Sequence, residues 1–256
     1  MKLIDLSVPL VDNLPVDPPP QITHIKYTDH TQSVDDMLRL FPGVEKSALP
    51  GGYGWAVEDV SLTTHSGTHM DAPWHYHPTM NHGERSWTID EIPLDWCMGN
   101  GVVLDLTEFP DGYVCTAQDL QKKLREMNYA LRPGDIVLVH TNAPAKWGSA
   151  AYLSAGCGIG REATLWLCSQ NIHLVGTDAW SWDAPLGSIA KHYAETGDAS
   201  LIWEGHKAGA EKAYCHMEKL TNLDLLPPHG FTFIGFPIKV EKASGGWVRA
   251  VAVLDR

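Results

Sequence analysis

Two nearly continuous apolar runs, at residues 101–106 (GVVLDL) and 135–141 (DIVLVHT), restrict the fold of this chain more than any other feature. Runs of this kind, without polar alternation, are typical of strands that are covered on both faces. Between them, residues 116–128 repeat apolar side chains at helical spacing, and Thr116 with Asp119 has the pattern of an N-terminal cap. A strand, a helix and a second strand in this order predict an α/β fold.

The other predicted elements mix strands and helices without strict alternation. Strands are predicted at residues 3–10, 56–62, 172–178, 231–240 and 246–254, and helices at residues 33–40, 161–171 and 205–217. This irregular order favours a mixed sheet over a doubly wound parallel sheet. No repeat, low-complexity tract or charge block divides the chain, so we predict a single α/β domain over residues 1–256.

Charge and hydropathy limit the partners that the chain can have. The formal net charge is -12 and the pI is about 5.4. Such a surface repels nucleic acid and anionic membranes, which leaves a small molecule or a second copy of the chain as the default partner. The N-terminal segment MKLIDLSVPL is too short and too interrupted for a secretory signal, and no run of about 18 apolar residues occurs. We therefore expect a cytoplasmic protein.

The cysteines form no recognisable framework. They are odd in number, widely spaced and never arranged as C-x-x-C: Cys97, Cys115, Cys157, Cys168 and Cys215. This pattern predicts reduced, mostly buried thiols, with neither a disulfide framework nor a zinc knuckle.

Histidine is concentrated in one short segment. Residues 62–82 hold five of the thirteen histidines, and Asp71 lies between them. Pro73 disfavours a helix here. In an extended chain alternate residues face one side, and positions 65, 69, 71 and 75 are all odd. With a bend at Gly67, which has no side-chain bulk, one edge can direct two imidazoles and a carboxylate to one point.

The side chains of His65, His69 and Asp71 are a ligand set for a divalent cation. Two neutral imidazoles with one carboxylate suit Zn²⁺, Mn²⁺ or Fe²⁺. Three protein ligands leave a coordination position open, as in catalytic sites, whereas structural zinc sites have four. The alternative is that these histidines cap loops and cover surface. The presence of Asp71, and of His75 four residues later, favours the metal site.

The segment HSGTHMDAPWH resembles the H-x-G-T-H-x-D-x-P-x-H signature of the cyclase family of metal-dependent hydrolases, which includes bacterial kynurenine formamidase and isatin hydrolase. The segments RPGDIVLVHT, VGTDAWSWDAP, LTNLDLLPPHGF and GGWVRAVAVL follow in an order that supports the resemblance. The resemblance implies a swivelling β/β/α fold and a homodimer or higher homo-oligomer.

The resemblance also implies roles for individual residues. His65, His69 and Asp71 would be metal ligands, and His75 would be the general acid and base. In family members with two metals, a later histidine and glutamate complete the second site, and the matching positions here are His206 and Glu218. His206 and Glu218 are 12 residues apart, and on an ideal helix this spacing would not place them on the same face. The cofactor implied is one or two divalent ions, Mn²⁺ or Zn²⁺.

Aromatic residues near these motifs are candidates for the substrate pocket. Trp74 lies inside the signature, Trp180 and Trp182 lie in the segment DAWSWDAP, and Phe41 belongs to an earlier loop. Aromatic walls suit a flat aromatic substrate. For any one tryptophan, a place in the core is at least as good an interpretation.

We therefore expect a hydrolase that cleaves the C–N bond of a small aromatic amide. The segment GTDAWSWDAP and the long stretch to His206 favour an isatin hydrolase-like enzyme, which opens a cyclic amide. Kynurenine formamidase activity, or ester or lactone hydrolysis at the same site, is the alternative. A non-catalytic metal-binding protein is a different class, and it would need a closed metal site and no His75.

Overall fold

The computed structural model describes residues 1–254. Its strands are β1 (Lys2–Asp5), β2 (His24–Thr28), β3 (Val57–Ser61), β4 (His69–Asp71), β5 (Thr79–Met80), β6 (Glu84–Arg85), β7 (Met98–Asp105), β8 (Val114–Cys115), β9 (Ile136–His140), β10 (Gly158–Ile159), β11 (Leu174–Thr177), β12 (Cys215–Glu218), β13 (His229–Ile234), β14 (Gly245–Trp247) and β15 (Val251–Leu254). Its α-helices are α1 (Val34–Leu40), α2 (Pro73–Tyr76), α3 (Ala117–Glu126), α4 (Arg161–Ser169), α5 (Leu186–Thr196) and α6 (Glu204–Lys207).

Nine of these strands form one mixed sheet in the order β1-β15-β13-β7-β9-β11-β12-β4-β14. The four central strands β7, β9, β11 and β12 are parallel to one another, and the strands on either side pair antiparallel. The other strands form three two-stranded sheets. The predicted α/β fold with a mixed sheet is therefore confirmed.

The central strands are buried on both faces, as their apolar runs predict. In β9, Ile136 and Leu138 belong to one apolar core, while Val137 and Val139 belong to the core on the opposite face. Helices α3 and α4 cover the second core. The predicted cap of α3 is present, since the Thr116 and Asp119 side chains each accept a hydrogen bond from the other residue's backbone N–H.

The prediction of one helix over residues 205–217 is wrong. Helix α6 is a single turn, a short 3-10 turn follows it, and the chain then enters strand β12. The physical reason is tertiary context, because all four residues of β12 are buried and their backbone pairs with β11 on one side and β4 on the other. Cys215 and Met217 pack into the first core, whereas His216 and Glu218 point to the opposite face.

All five cysteines are buried, as the sequence predicts, and within residues 1–254 each is a free thiol. No helix in the described part of the chain has the length and apolar character needed to cross a membrane.

Candidate metal centre

The site is built where β4 pairs with β12. In this antiparallel pair His69 lies opposite Glu218, and Asp71 lies opposite His216. Side chains alternate along a strand, so these four residues share one face of the sheet while Met70 and Met217 enter the core behind them. Strand pairing therefore brings the H-x-D pattern of one segment against the H-x-E pattern of another.

His69 is fixed with one ring nitrogen free. Its Nδ1 lies 2.9 Å from the carbonyl oxygen of Gly67 and donates to it. Gly67 has a φ of +62°, which places the bend where the sequence predicts it. The other nitrogen, Nε2, is buried without a hydrogen-bond partner. It faces Asp71 Oδ1 at 3.2 Å and Glu218 Oε2 at 3.6 Å.

His206 reaches the same point from helix α6. The Asp183 carboxylate accepts hydrogen bonds from the His206 backbone N–H and from its ring Nδ1. This orients His206 Nε2 toward Asp71 Oδ2 and Glu218 Oε1, each at 3.7 Å. Burial alone would lower the pKa of His206, but the bond to Asp183 and the nearby carboxylates raise it to about 10. The site is thus strongly attractive to positive charge.

Asp71 and Glu218 are two buried carboxylates that face each other across this point. Burial raises the pKa of each group, but the surrounding imidazoles outweigh it. They hold the pKa of Asp71 well below its usual range, and the adjacent His216 and His69 rings help to lower the pKa of Glu218 to about 2. The Glu218 Oε1 atom also accepts the Trp182 backbone N–H at 2.9 Å. Both carboxylates are therefore ionised.

This donor set fits a divalent cation. Buried polar atoms are nearly always paired, yet His69 Nε2 and Asp71 Oδ2 are both buried without a hydrogen-bond partner. Each atom faces another potential ligand, since His69 Nε2 lies 3.6 Å from Glu218 Oε2 and Asp71 Oδ2 lies 3.7 Å from His206 Nε2. Imidazole nitrogens and carboxylate oxygens suit Zn²⁺ and Mn²⁺. The structure brings together four of the five predicted ligands in this way, and metal binding itself stays a prediction.

His65, the fifth predicted ligand, is arranged differently. Its Nδ1 lies 2.7 Å from Asp71 Oδ1, and its Nε2 lies 2.9 Å from Ser244 Oγ. Two ligand atoms on one Zn²⁺ ion are separated by about 3.0 to 3.4 Å, so the shorter contact is a hydrogen bond. His65 here positions Asp71, and its role as a ligand stays a prediction.

His75 lies beside the cluster and faces the solvent side. The expectation that the whole segment is extended is wrong at this point, because Pro73 begins helix α2, where its fixed φ is favourable. The side chain is 25% exposed, and Nε2 lies 3.6 Å from Asp71 Oδ2. Burial lowers the pKa of His75 to about 4. The ring is therefore neutral near pH 7 and able to accept a proton.

A cavity of about 670 Å³ opens directly over the site. His65, His75, His206 and Glu218 form its base, and its walls are largely apolar. Among the predicted substrate-binding residues, only Trp180 lines it, with its indole N–H donated to Asp17 Oδ1 at 2.9 Å.

The other three predicted substrate-binding residues lie elsewhere. Trp182 is fully buried beneath the site, where its indole stacks on His216 and donates to Thr164. Trp74 and Phe41 are exposed, and neither lines the cavity. Among the four, Trp180 alone borders the cavity, and its substrate role stays a prediction.

Several site residues were missed from the sequence. Trp203 stacks on His206 with ring centroids 4.4 Å apart, and it has a φ of +57°, which is unusual for a bulky residue. One face of α5 forms a cavity wall through Leu186, Ile189, Ala190 and Tyr193. Their helical spacing is visible in the sequence, but nothing in it shows that this face borders the histidines.

Comparisons with known proteins identify the family of the chain. The Cyclase family model matches residues 4–184. Isatin hydrolase from Roseibium aggregatum is 26% identical over 215 residues, which cover 80% of this chain and 75% of that protein. Kynurenine formamidase from Erythrobacter litoralis is 27% identical over 195 residues, which cover 75% of this chain and 74% of that protein.

Solved structures show the same fold. A crystal structure of an isatin hydrolase bound to the product analogue thioisatinate has a TM-score of 0.76 at 22% identity, covering 100% of this chain and 93% of that one. Isatin hydrolase A from Ralstonia solanacearum has a TM-score of 0.75 at 24% identity, covering 99% and 92%.

Proposed function

The chain belongs to the Cyclase family, and we propose that it is a metal-dependent hydrolase that cleaves a C–N amide bond in a small aromatic substrate. The observation that carries the proposal is the pair of unpartnered buried atoms, His69 Nε2 and Asp71 Oδ2, which lie next to His206 and Glu218 at the base of a large apolar cavity. A ligand set that opens onto a cavity is the arrangement of a catalytic site rather than a structural one.

A divalent cation held by His69, Asp71 and Glu218 would lower the pKa of water and polarise the substrate carbonyl. His75 is the group that handles protons. Its neutral ring takes a proton from the attacking water as the new C–O bond forms, and it returns that proton to the nitrogen as the C–N bond breaks. A non-catalytic metal-binding role would give no reason for a neutral, partly exposed imidazole at this place.

The cavity favours a flat substrate. Trp180 and Trp203 form part of its wall, and Trp203 presents aromatic surface to His75 and His206. An isatin-like cyclic amide is the first candidate, because one relative and two of the solved structures similar to this chain are isatin hydrolases. An N-formyl arylamine, the substrate class of kynurenine formamidase, is the second candidate. Ester or lactone hydrolysis would use the same groups.

The test is hydrolysis of isatin and of N-formylkynurenine by protein reconstituted separately with Mn²⁺ and Zn²⁺. We expect turnover of one substrate that requires the metal. The variant His75→Ala should lose about 10²- to 10⁴-fold in kcat, as general acid–base groups do.

The matched control is His77→Ala, because His77 is exposed and lies two residues away with its ring bonded to Thr79. This variant should keep full activity. Equal losses in the two variants would contradict the role of His75. Absence of turnover on both substrates, with the metal bound, would refute the amide proposal and direct testing to esters and lactones.

A further inference from the structure

His216 is a buried histidine that belongs to no part of the H-x-G-T-H-x-D-x-P-x-H signature. It lies in the middle of β12 with 0% of its side chain exposed, opposite Asp71 in the strand pairing. Tyr76 and Trp182 both stack against it, with interplanar angles of 17° and 18°. The ring is therefore held in one orientation, and its two nitrogens face different groups.

The hydrogen bonds around His216 assign its proton. Nδ1 lies 3.1 Å from the Tyr76 hydroxyl and 3.3 Å from the Tyr214 hydroxyl. Tyr76 donates its own proton to the backbone oxygen of Asp71, and Tyr214 donates to the backbone oxygen of Gly205. Both hydroxyl oxygens can then only accept from the ring. Nδ1 of His216 is therefore the donor, and in the neutral ring Nε2 carries a lone pair.

That lone pair points at negative charge. Nε2 lies 3.2 Å from Asp71 Oδ2 and 3.2 Å from Glu218 Oε1. A hydrogen bond to Glu218 would need a second proton on the ring, and even then Asp71 Oδ2 would keep no hydrogen-bond partner. Two carboxylate oxygens and a nitrogen lone pair repel one another in a buried site unless a cation lies between them.

The separations match those between ligands of one ion. Asp71 Oδ2, His216 Nε2, Glu218 Oε1 and His206 Nε2 are 3.2 to 3.7 Å apart along the four measured edges, and all four residues are buried. Ligand atoms on a four-coordinate zinc ion are about 3.3 Å apart. The four atoms thus surround one position.

We propose that His216 is a protein ligand of a divalent cation, and that with Asp71, His206 and Glu218 it forms a closed four-ligand site. This inference rests on the proposed function, because the cation belongs to the same metal centre. A closed site has no position for water, so its ion organises the carboxylates. His69 Nε2, Asp71 Oδ1 and Glu218 Oε2 then face a second, open position beside the cavity.

The experiment is to load the metal-stripped chain with one equivalent of Zn²⁺ or Co²⁺ and to count ligands directly. X-ray absorption of the Zn²⁺ protein should show four nitrogen or oxygen neighbours, two of them imidazoles. The Co²⁺ protein should show the intense visible absorption of a four-coordinate ion. A single imidazole, or the weak absorption of a six-coordinate ion, would overturn the proposal. Both measurements use the unmodified chain, so neither depends on whether a variant folds.

The variant His216→Gln tests the same point through affinity. Its Kd for the first Zn²⁺ should rise by more than the 10- to 100-fold that changes to outer partners of metal ligands produce. The control is His173→Gln, since His173 is a partly buried histidine just before β11 whose side chain stacks on Trp96. An unchanged Kd in His216→Gln would overturn the assignment.

These readouts separate the two proposals. Four-coordinate metal without hydrolysis of any tested amide would refute the proposed function and leave His216 as a ligand. Metal-dependent hydrolysis with one imidazole on the first ion would refute the role of His216 and leave the function intact.

Discussion

Replacement of Asp183 by asparagine should weaken metal binding although Asp183 touches no metal position. Its Oδ1 accepts the Gly205 backbone N–H at 2.7 Å, and its Oδ2 accepts both the backbone N–H and the ring Nδ1–H of His206. The carboxylate therefore binds three donors and fixes the tautomer in which His206 Nε2 is free for a cation.

The magnitude follows from the donors that asparagine leaves. Its single oxygen faces His206, which offers two donors, and its amide nitrogen then opposes the Gly205 N–H. One buried donor without a partner costs about 1 to 3 kcal/mol in the free energy of unfolding. The group that accepts the hydrogen bonds of His206 also changes from a charged carboxylate to a neutral amide. Such outer partners of metal ligands contribute 10- to 100-fold to metal affinity. This corresponds to about 1.4 to 2.8 kcal/mol in metal binding.

The two effects are measured separately. Urea unfolding in the presence of a chelator gives the stability of the chain alone, and competition with a chromogenic chelator gives the Kd for Zn²⁺. The control is Asp135→Asn. Asp135 is also buried, and its Oδ2 accepts the Tyr129 hydroxyl at 2.9 Å and the Arg132 N–H at 2.8 Å.

Asp135→Asn should lose stability without a change in Kd. If both variants lose affinity for Zn²⁺ equally, the loss follows from the lower stability of the fold and not from the orientation of His206. If Asp183→Asn binds Zn²⁺ like the unmodified chain, the orienting role of Asp183 is refuted.

Three further predictions concern stability. Gly158→Ala should strongly destabilise the fold, since the added Cβ would lie 1.8 Å from the backbone nitrogen of Ala184. Gly187→Ala in α5 meets no atom within 4 Å and should be neutral or stabilising by up to about 1 kcal/mol. Urea unfolding compares the two variants, and equal losses of stability would contradict the packing. The hydrogen bond from His140 Nδ1 to Asp178 at 2.6 Å raises the pKa of His140, so its contribution is complete below the ordinary value of 6.5 and is lost as pH rises through the raised value. The difference in unfolding free energy between the unmodified chain and His140→Gln should therefore shrink from pH 6 to pH 9, and a constant difference would refute this. A metal present at about 100 times its Kd stabilises the fold by about 2.7 kcal/mol. Removal of that metal should therefore lower the Tm by roughly 5 to 11 °C. An unchanged Tm on addition of chelator would count against a structural contribution of the metal.

Short-range sequence patterns correctly predicted the elements whose conformation depends mainly on neighbouring residues. The buried strands β7 and β9 follow from their apolar runs, and the capped helix α3 follows from its spacing and its Thr116 cap. The error over residues 205–217 has a different origin. A short segment rich in alanine and glycine has no strong preference of its own, and pairing with β11 and β4 decides its conformation.

The candidate site divides in the same way. His69 and Asp71 are close in sequence, so their spacing in an extended chain was enough to bring them together. His216 was missed because its partner Asp71 lies on a distant segment. One signal was present in the sequence, since the pattern H-x-E at 216–218 mirrors H-x-D at 69–71, as two strands that share a face require. Trp203 gave no such signal, because its position depends on an unusual backbone conformation.

The pairing of β4 with β12 has a consequence for how the chain reaches its active form. A shift of one residue in this register would turn His216 and Glu218 into the core and bring Cys215 and Met217 to face the carboxylate of Asp71. A cation can therefore be bound only by a chain in which these two distant segments have paired in the correct register. Metal should therefore bind late in refolding, after β4 and β12 have paired. The amount of bound metal then measures the fraction of chains in which the sheet is correctly assembled.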